Sequence, residues 1–210
     1  MGNDNTEAKI HILNTSIILF SARGYNETSI RKISKEAGVN VSMISYYFGG
    51  KEGILRDIVK SVTEGFTVLL NEFDLTDMSA TMIALKRFLE YLEDNRPQIK
   101  ILFSEIGKGY DYLIPVKDKI VELQSRLGEL VLGNNKSGNS LELARKLKIM
   151  TDIILGMIFS DYIFDFSNFN DNITKEEKSF WQEERIQMMI KIFKQLSGLN
   201  TGKLTFEPIL

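Results

Sequence analysis

Cysteine is absent from this chain of 210 residues, proline occurs three times and histidine once. Without cysteine there is no disulfide framework, no thiolate nucleophile and no cysteine-held metal site, and a reducing compartment is the simplest fit. The single imidazole, His11, leaves no Ser-His-Asp set and no Glu-x-x-His pair of the kind that builds a di-metal bundle. A phosphate-cradling glycine loop is missing as well, so an enzyme, a metal and a cofactor are not expected. Long apolar runs are also lacking: Ile153 to Phe159 is bracketed by Asp152 and Asp161, well short of the roughly 20 residues a spanning helix needs. The polar, acidic start MGNDNTEAKI does not resemble a secretory signal. The expectation is a soluble, cytoplasmic protein with no membrane association.

A strong charge of either sign is lacking too. The formal net charge is −2, yet residues 1–60 hold eight lysines and arginines against six carboxylates, leaving 18 and 22 for the remainder. A mildly basic start on an acidic body permits a polyanionic partner without demanding one.

What the chain has is helical periodicity. Hydrophobic residues make up 43% of it, enough for a core, and no segment alternates like a strand. Asp4 with Glu7 three residues later has the form of a capping box, followed by Ile10, Leu13, Ile17 and Phe20 at helical spacing. Gly24 suits the stop of that helix. Thr28 or Ser29 can cap a short helix running to Ala37, with Ile30, Ile33 and Ala37 inward. Gly38 ends it, Asn40 can cap a third helix from Val41 to Tyr47, and Gly49 with Gly50 breaks the chain again. A long helix follows with the stripe Ile54, Ile58, Val62, Phe66 and Leu69. Further helices are expected near 77–94, 97–107, 115–132, 140–166 and 175–197, the last behind a second capping box, Thr174 with Glu177. The stretch Gly133 to Ser140 reads as a loop. The fold expected is all-α, with about nine helices.

Two short helices joined by a tight glycine turn are what a helix-turn-helix requires: a small residue at the crossing, a positive-φ residue in the turn, and apolar side chains holding the second helix on the first. Ala37, Gly38, Val39, Ile44 and Phe48 meet those needs. That frees Val41, Ser42, Met43, Ser45, Tyr46 and Tyr47 for the major groove.

The same segment resembles the N-terminal signature of TetR-type transcription regulators. Its elements stand here as Phe20, Gly24 and Tyr25, then Thr28 to Arg31, Ala37 to Val39, Tyr47 with Phe48, and Lys51 to Ile54, dense and in order over about a quarter of the chain. The resemblance implies a DNA-binding domain over residues 1–52 and a ligand-sensing, dimerising domain over 53–210. Arg31 would reach a purine edge or phosphate, while Ser42, Met43 and Ser45 would face bases, with Val41 and Met43 near thymine methyls. Thr28, Ser29, Tyr46, Tyr47 and Lys51 would bind phosphates, Asn40 flanking them as the cap. Ser42 and Ser45 stand where many members have Gly and Tyr, so no operator sequence carries over.

The implied function is that of a repressor: a homodimer on a palindromic double-stranded operator, released when a small molecule fills the C-terminal domain. Ligand-binding candidates are Met82, Phe103, Glu105, Tyr110, Met157, Tyr162 and Trp181, although for any one of them ordinary core packing is the commoner reason for a helical stripe of Met and aromatics. Leu141, Leu147, Ile149, Ile153, Ile154, Met157 and Ile158, with Ile186, Met189, Ile190 and Phe193, offer apolar faces for a four-helix bundle between two copies. The competing class is a helical protein-interaction module, which would lack salt-sensitive binding to DNA.

Overall fold

A computed structural model of the chain describes residues 2–72, 78–108, 111–132, 140–163 and 174–197. Nine α-helices and no strand occur among these. They are α1 (Gly2–Arg23), α2 (Ile30–Glu36), α3 (Val41–Phe48), α4 (Lys51–Leu70), α5 (Met78–Asp94), α6 (Arg96–Ile106), α7 (Ile114–Leu132), α8 (Ser140–Ile163) and α9 (Lys175–Ser197), with one 3-10 turn, Asp111–Leu113, ahead of α7. No helix among the described residues is long and apolar enough to cross a membrane.

The chain forms two compact units, Met1–Phe73 with Ile83–Val121 and Asp74–Met82 with Glu122–Leu210. The expected boundary between residues 52 and 53 falls inside α4, which runs through it unbroken.

In the first unit α1 packs against α2, α4 and α6, α3 against α2 and α4, and α6 also against α4. Ile12, Ile33, Ile44, Ile54, Leu55 and Ile99 are wholly buried there, each contributing about 1.5–3 kcal/mol of apolar transfer. Phe66 meets Phe88 at 5.4 Å between ring centroids. Pro97 stands in the first turn of α6, where its missing N–H costs nothing. One expectation fails here. The first helix already begins at Gly2, so Asp4 lies inside its first turn and does not cap it.

In the second unit α8 packs on α9. Ile154, Ile158, Phe159 and Tyr162 of α8 are buried, as are Ile186 and Met189 of α9. The capping box ahead of α9 is present: the Thr174 N–H donates to Glu177 Oε2 at 2.8 Å, and the Glu177 N–H to Thr174 Oγ1 at 3.2 Å.

Candidate nucleic-acid interface

The corner after α1 is built from its aromatic residues. Gly24 adopts φ +89° and its N–H donates to the Phe20 carbonyl at 2.9 Å, closing the helix. The Tyr25 ring then meets Phe20 edge-on at 5.2 Å. Thr28 is entirely buried, and its hydroxyl donates to the Gly24 carbonyl at 2.9 Å. That corrects its assignment as a phosphate binder: a residue with no exposed surface, its hydroxyl proton spent on Gly24 and its N–H on the Tyr25 carbonyl, holds the corner and cannot touch DNA.

Ser29 is the exposed N-cap of α2, its hydroxyl oxygen accepting from the Lys32 N–H at 3.2 Å. Ile33 and Ala37 face inward, whereas Arg31 and Lys35 are exposed. Lys32 pairs with Glu36 at 3.5 Å, but Arg31 enters no ion pair among the described residues. Gly38 carries the turn at φ +62°, and the Val39 N–H returns to the Ser34 carbonyl at 3.0 Å.

Asn40 caps α3, as expected. Its Oδ1 accepts from the Ser42 N–H and from the Ser42 hydroxyl, both at 3.0 Å. Ile44, wholly buried, anchors the helix. The opposite stripe is open: Val41, Ser42, Ser45 and Tyr46 are all exposed, Tyr46 to 73%. Positions 41 and 45, like 42 and 46, are one turn apart and so share a face. Met43 and Tyr47 flank it, half-buried, and the Tyr47 ring meets Tyr46 edge-on at 5.1 Å. An eight-residue helix with this face of hydroxyls, an apolar residue and a protruding phenol is what a major groove accepts.

Gly49 and Gly50, at φ +70° and +128°, turn the chain from α3 into α4. The approach is so close that a Cβ on Gly53 would lie 1.6 Å from the Phe48 carbonyl oxygen. Lys51 then bends back over 26 residues of sequence, donating to the Tyr25 carbonyl at 2.9 Å with its ammonium 4.2 Å above the Tyr25 ring. The expected phosphate ligand is thus engaged first as a clamp between α4 and the α1 corner. Lys9, which sequence reasoning missed, does similar work: it pairs with Asp57 at 3.0 Å and stands 5.3 Å above the Phe48 ring. Nothing local in the sequence distinguishes Lys9 from a solvated lysine.

The ligand candidates divide between the units. Phe103 and Glu105 lie on α6 in the first, Phe103 half-buried and Glu105 2% exposed. Met82, Met157, Tyr162 and Trp181 belong to the second. Met82 and Met157 are half-buried and Tyr162 is buried, but Trp181 is 59% exposed, edge-on to Phe180 at 6.1 Å. That exposure places Trp181 on the outside of α9 in the single chain. Tyr110 lies outside the described residues. No group of three or more carboxylates or histidines suited to a metal occurs among the described residues.

Residues 12–58 match the family model described as bacterial regulatory proteins, tetR family. The chain is 42% identical over 62 residues to the probable HTH-type transcriptional regulator YttP of Bacillus subtilis (strain 168), and 31% identical over 64 residues to the regulator BetI of Vibrio campbellii. Each alignment covers 30% of this chain and 30% or 32% of the relative, so the chain spans about a third of the length of these curated relatives. Among solved structures, HlyIIR, a hemolysin II transcriptional regulator, shares 26% identity at a TM-score of 0.55, covering 88% of this chain and 97% of its own. A transcriptional regulator from Aquifex aeolicus VF5 superimposes at a TM-score of 0.64 over 88% of this chain and 99% of its own, at 20% identity, a likeness of fold. These relatives are regulators and not enzymes.

Proposed function

We propose, for a chain whose residues 12–58 match the family model of bacterial regulatory proteins, tetR family, that it is a cytoplasmic repressor of that family which binds a palindromic operator as a homodimer and leaves it when a small molecule binds the C-terminal domain. One observation carries the reading: the open stripe Val41, Ser42, Ser45 and Tyr46 on a short helix whose opposite face is locked down by Ile44. Arg31, exposed on α2 and outside every ion pair among the described residues, supplies a cation beside it.

Support for a dimer comes from the second unit. Ile149 and Ile153, one turn apart on α8, are 56% and 39% exposed, and on α9 Trp181 and Met188, two turns apart, are 59% and 50% exposed. Apolar stripes of this kind are costly in water and fit the helix pairing of an isologous interface. Two-fold symmetry then sets two copies of α3 about 34 Å apart, one turn of duplex, and requires an inverted repeat. Support for release comes from α4 and α6. The first is clamped to the reading domain by Lys51 and abuts Phe48 at Gly53, and the second packs on both α1 and α4. A displacement of either helix reaches α3 through packed side chains.

Binding of duplex DNA at a series of salt concentrations tests this. Affinity should fall steeply with salt, and Arg31→Ala should make the slope shallower by about one counterion. Salt-independent binding, or none, would sink the proposal in favour of a protein-interaction module.

A further inference from the structure

We infer that the C-terminal end of α6 is a binding site for a small organic cation that donates hydrogen bonds, an amine or amidine, seated on the Glu105 carboxylate. This rests on the regulator reading and names the class of its ligand.

Glu105 is 2% exposed and lies one turn after Ile101 and Leu102, themselves 2% and 1% exposed. Its Oε1 is well supplied, accepting from Lys108 Nζ at 2.6 Å and from the Ser104 hydroxyl at 3.4 Å. Its Oε2 is buried and accepts from nothing among the described residues. A carboxylate offers about four acceptor positions, and a buried charged oxygen without a donor is among the most unfavourable groups a fold can keep. Such groups persist where a bound partner completes them. Both donors on Oε1 are near neighbours in sequence, Ser104 on α6 and Lys108 two residues past its end, so no other helix is spent on this side chain.

The charge of the missing donor follows from Lys108. That side chain is 39% exposed, so its hold on Oε1 is a screened, half-solvated ion pair and neutralises the buried charge incompletely. A ligand N–H carried by a cation supplies both the absent hydrogen bond and the remaining charge, and charge-assisted bonds to carboxylates are the strong ones. An anion is repelled, and a neutral donor supplies only half of what is missing. The position also suits regulation: α6 lies against α1 of the reading domain and against α4. A ligand drawn to Oε2 bears on the helix that touches both.

Three probes of one shape separate the cases on the full chain: benzamidine, neutral benzamide and benzoate. Benzamidine should raise the unfolding temperature in a dose-dependent manner, benzamide less, benzoate not at all. Glu105→Gln and Glu105→Met should each weaken the benzamidine response about tenfold or more. In the absence of probe, Glu105→Met should unfold no lower than the parent, because it removes an unpartnered buried oxygen. The inference is overturned if no probe shifts the transition, or if benzamidine acts equally on the variants. It is also overturned if Glu105→Met and Lys108→Ala lower the probe-free transition alike, which would make the pair structural and leave a buried water as the occupant of Oε2. Duplex DNA binding measured without probe is a separate arm: its absence beside a Glu105-dependent benzamidine response would fell the regulator reading and leave this site standing.

Discussion

Ser42 stands in the open stripe of α3, proposed to face the groove, with its proton already spoken for. Its hydroxyl donates to Asn40 Oδ1 at 3.0 Å, so toward a base edge only its lone pairs remain. An acceptor meets adenine N6 or cytosine N4, and not the bare acceptors of guanine or the thymine O4. Ser42→Ala should therefore relax selection at one operator position in favour of no base, by about 1 kcal/mol, as read by competition among operators altered there. Lys51 carries a second prediction at this scale. Because its ammonium holds Tyr25 by a hydrogen bond and a ring contact, Lys51→Ala should lower the unfolding temperature, at a loss of about 1–2 kcal/mol, besides weakening DNA binding. A lysine serving phosphate alone would leave thermal stability unchanged.

At the scale of the element, the passage from α3 to α4 is the most tightly specified. Gly53 has no room for a Cβ because the Phe48 carbonyl occupies the place. Gly53→Ala should cost about 1–3 kcal/mol, more than the helix propensity gained, and should disturb α3; denaturant titration with DNA binding on the same sample checks both. A milder case lies farther along α4, where a Cβ on Gly65 would meet the Tyr91 hydroxyl, the movable end of a side chain. Burial pushes the Tyr91 phenol above its ordinary value. Caps and glycine turns were legible in the sequence because they are local: Ser29, Asn40 and Gly38 each act within three residues. Thr28, Lys9 and Lys51 were not legible in full. Whether a threonine caps a helix outside or props a corner inside, and whether a lysine meets phosphate or Tyr25, depends on contacts across up to 26 residues of sequence that periodicity does not encode. Asp4 misled for the opposite reason. A capping-box pattern is necessary for that motif but does not stop a helix from starting earlier.

For the whole molecule, the sequence announced an all-helical chain and a reading domain, but left core and pocket indistinguishable among the Met and aromatic residues. Burial separates them partly: Tyr162 is packed inside its unit while Trp181 lies outside. The exposed Ile149 and Ile153 should matter only in the pair. Ile153→Glu should leave the fold intact by circular dichroism, shift the mass in solution to the monomer and weaken operator binding; an unchanged dimer would move the interface elsewhere. Whether two copies of α3 read duplex DNA is decided by selecting bound fragments from a random library with the full chain. An inverted repeat with half-site centres about 10–10.5 base pairs apart, or a multiple of that, should be enriched, and lost with Tyr46→Ala combined with Ser45→Ala. No enriched sequence, or one recovered equally well by that double variant, would contradict reading by α3.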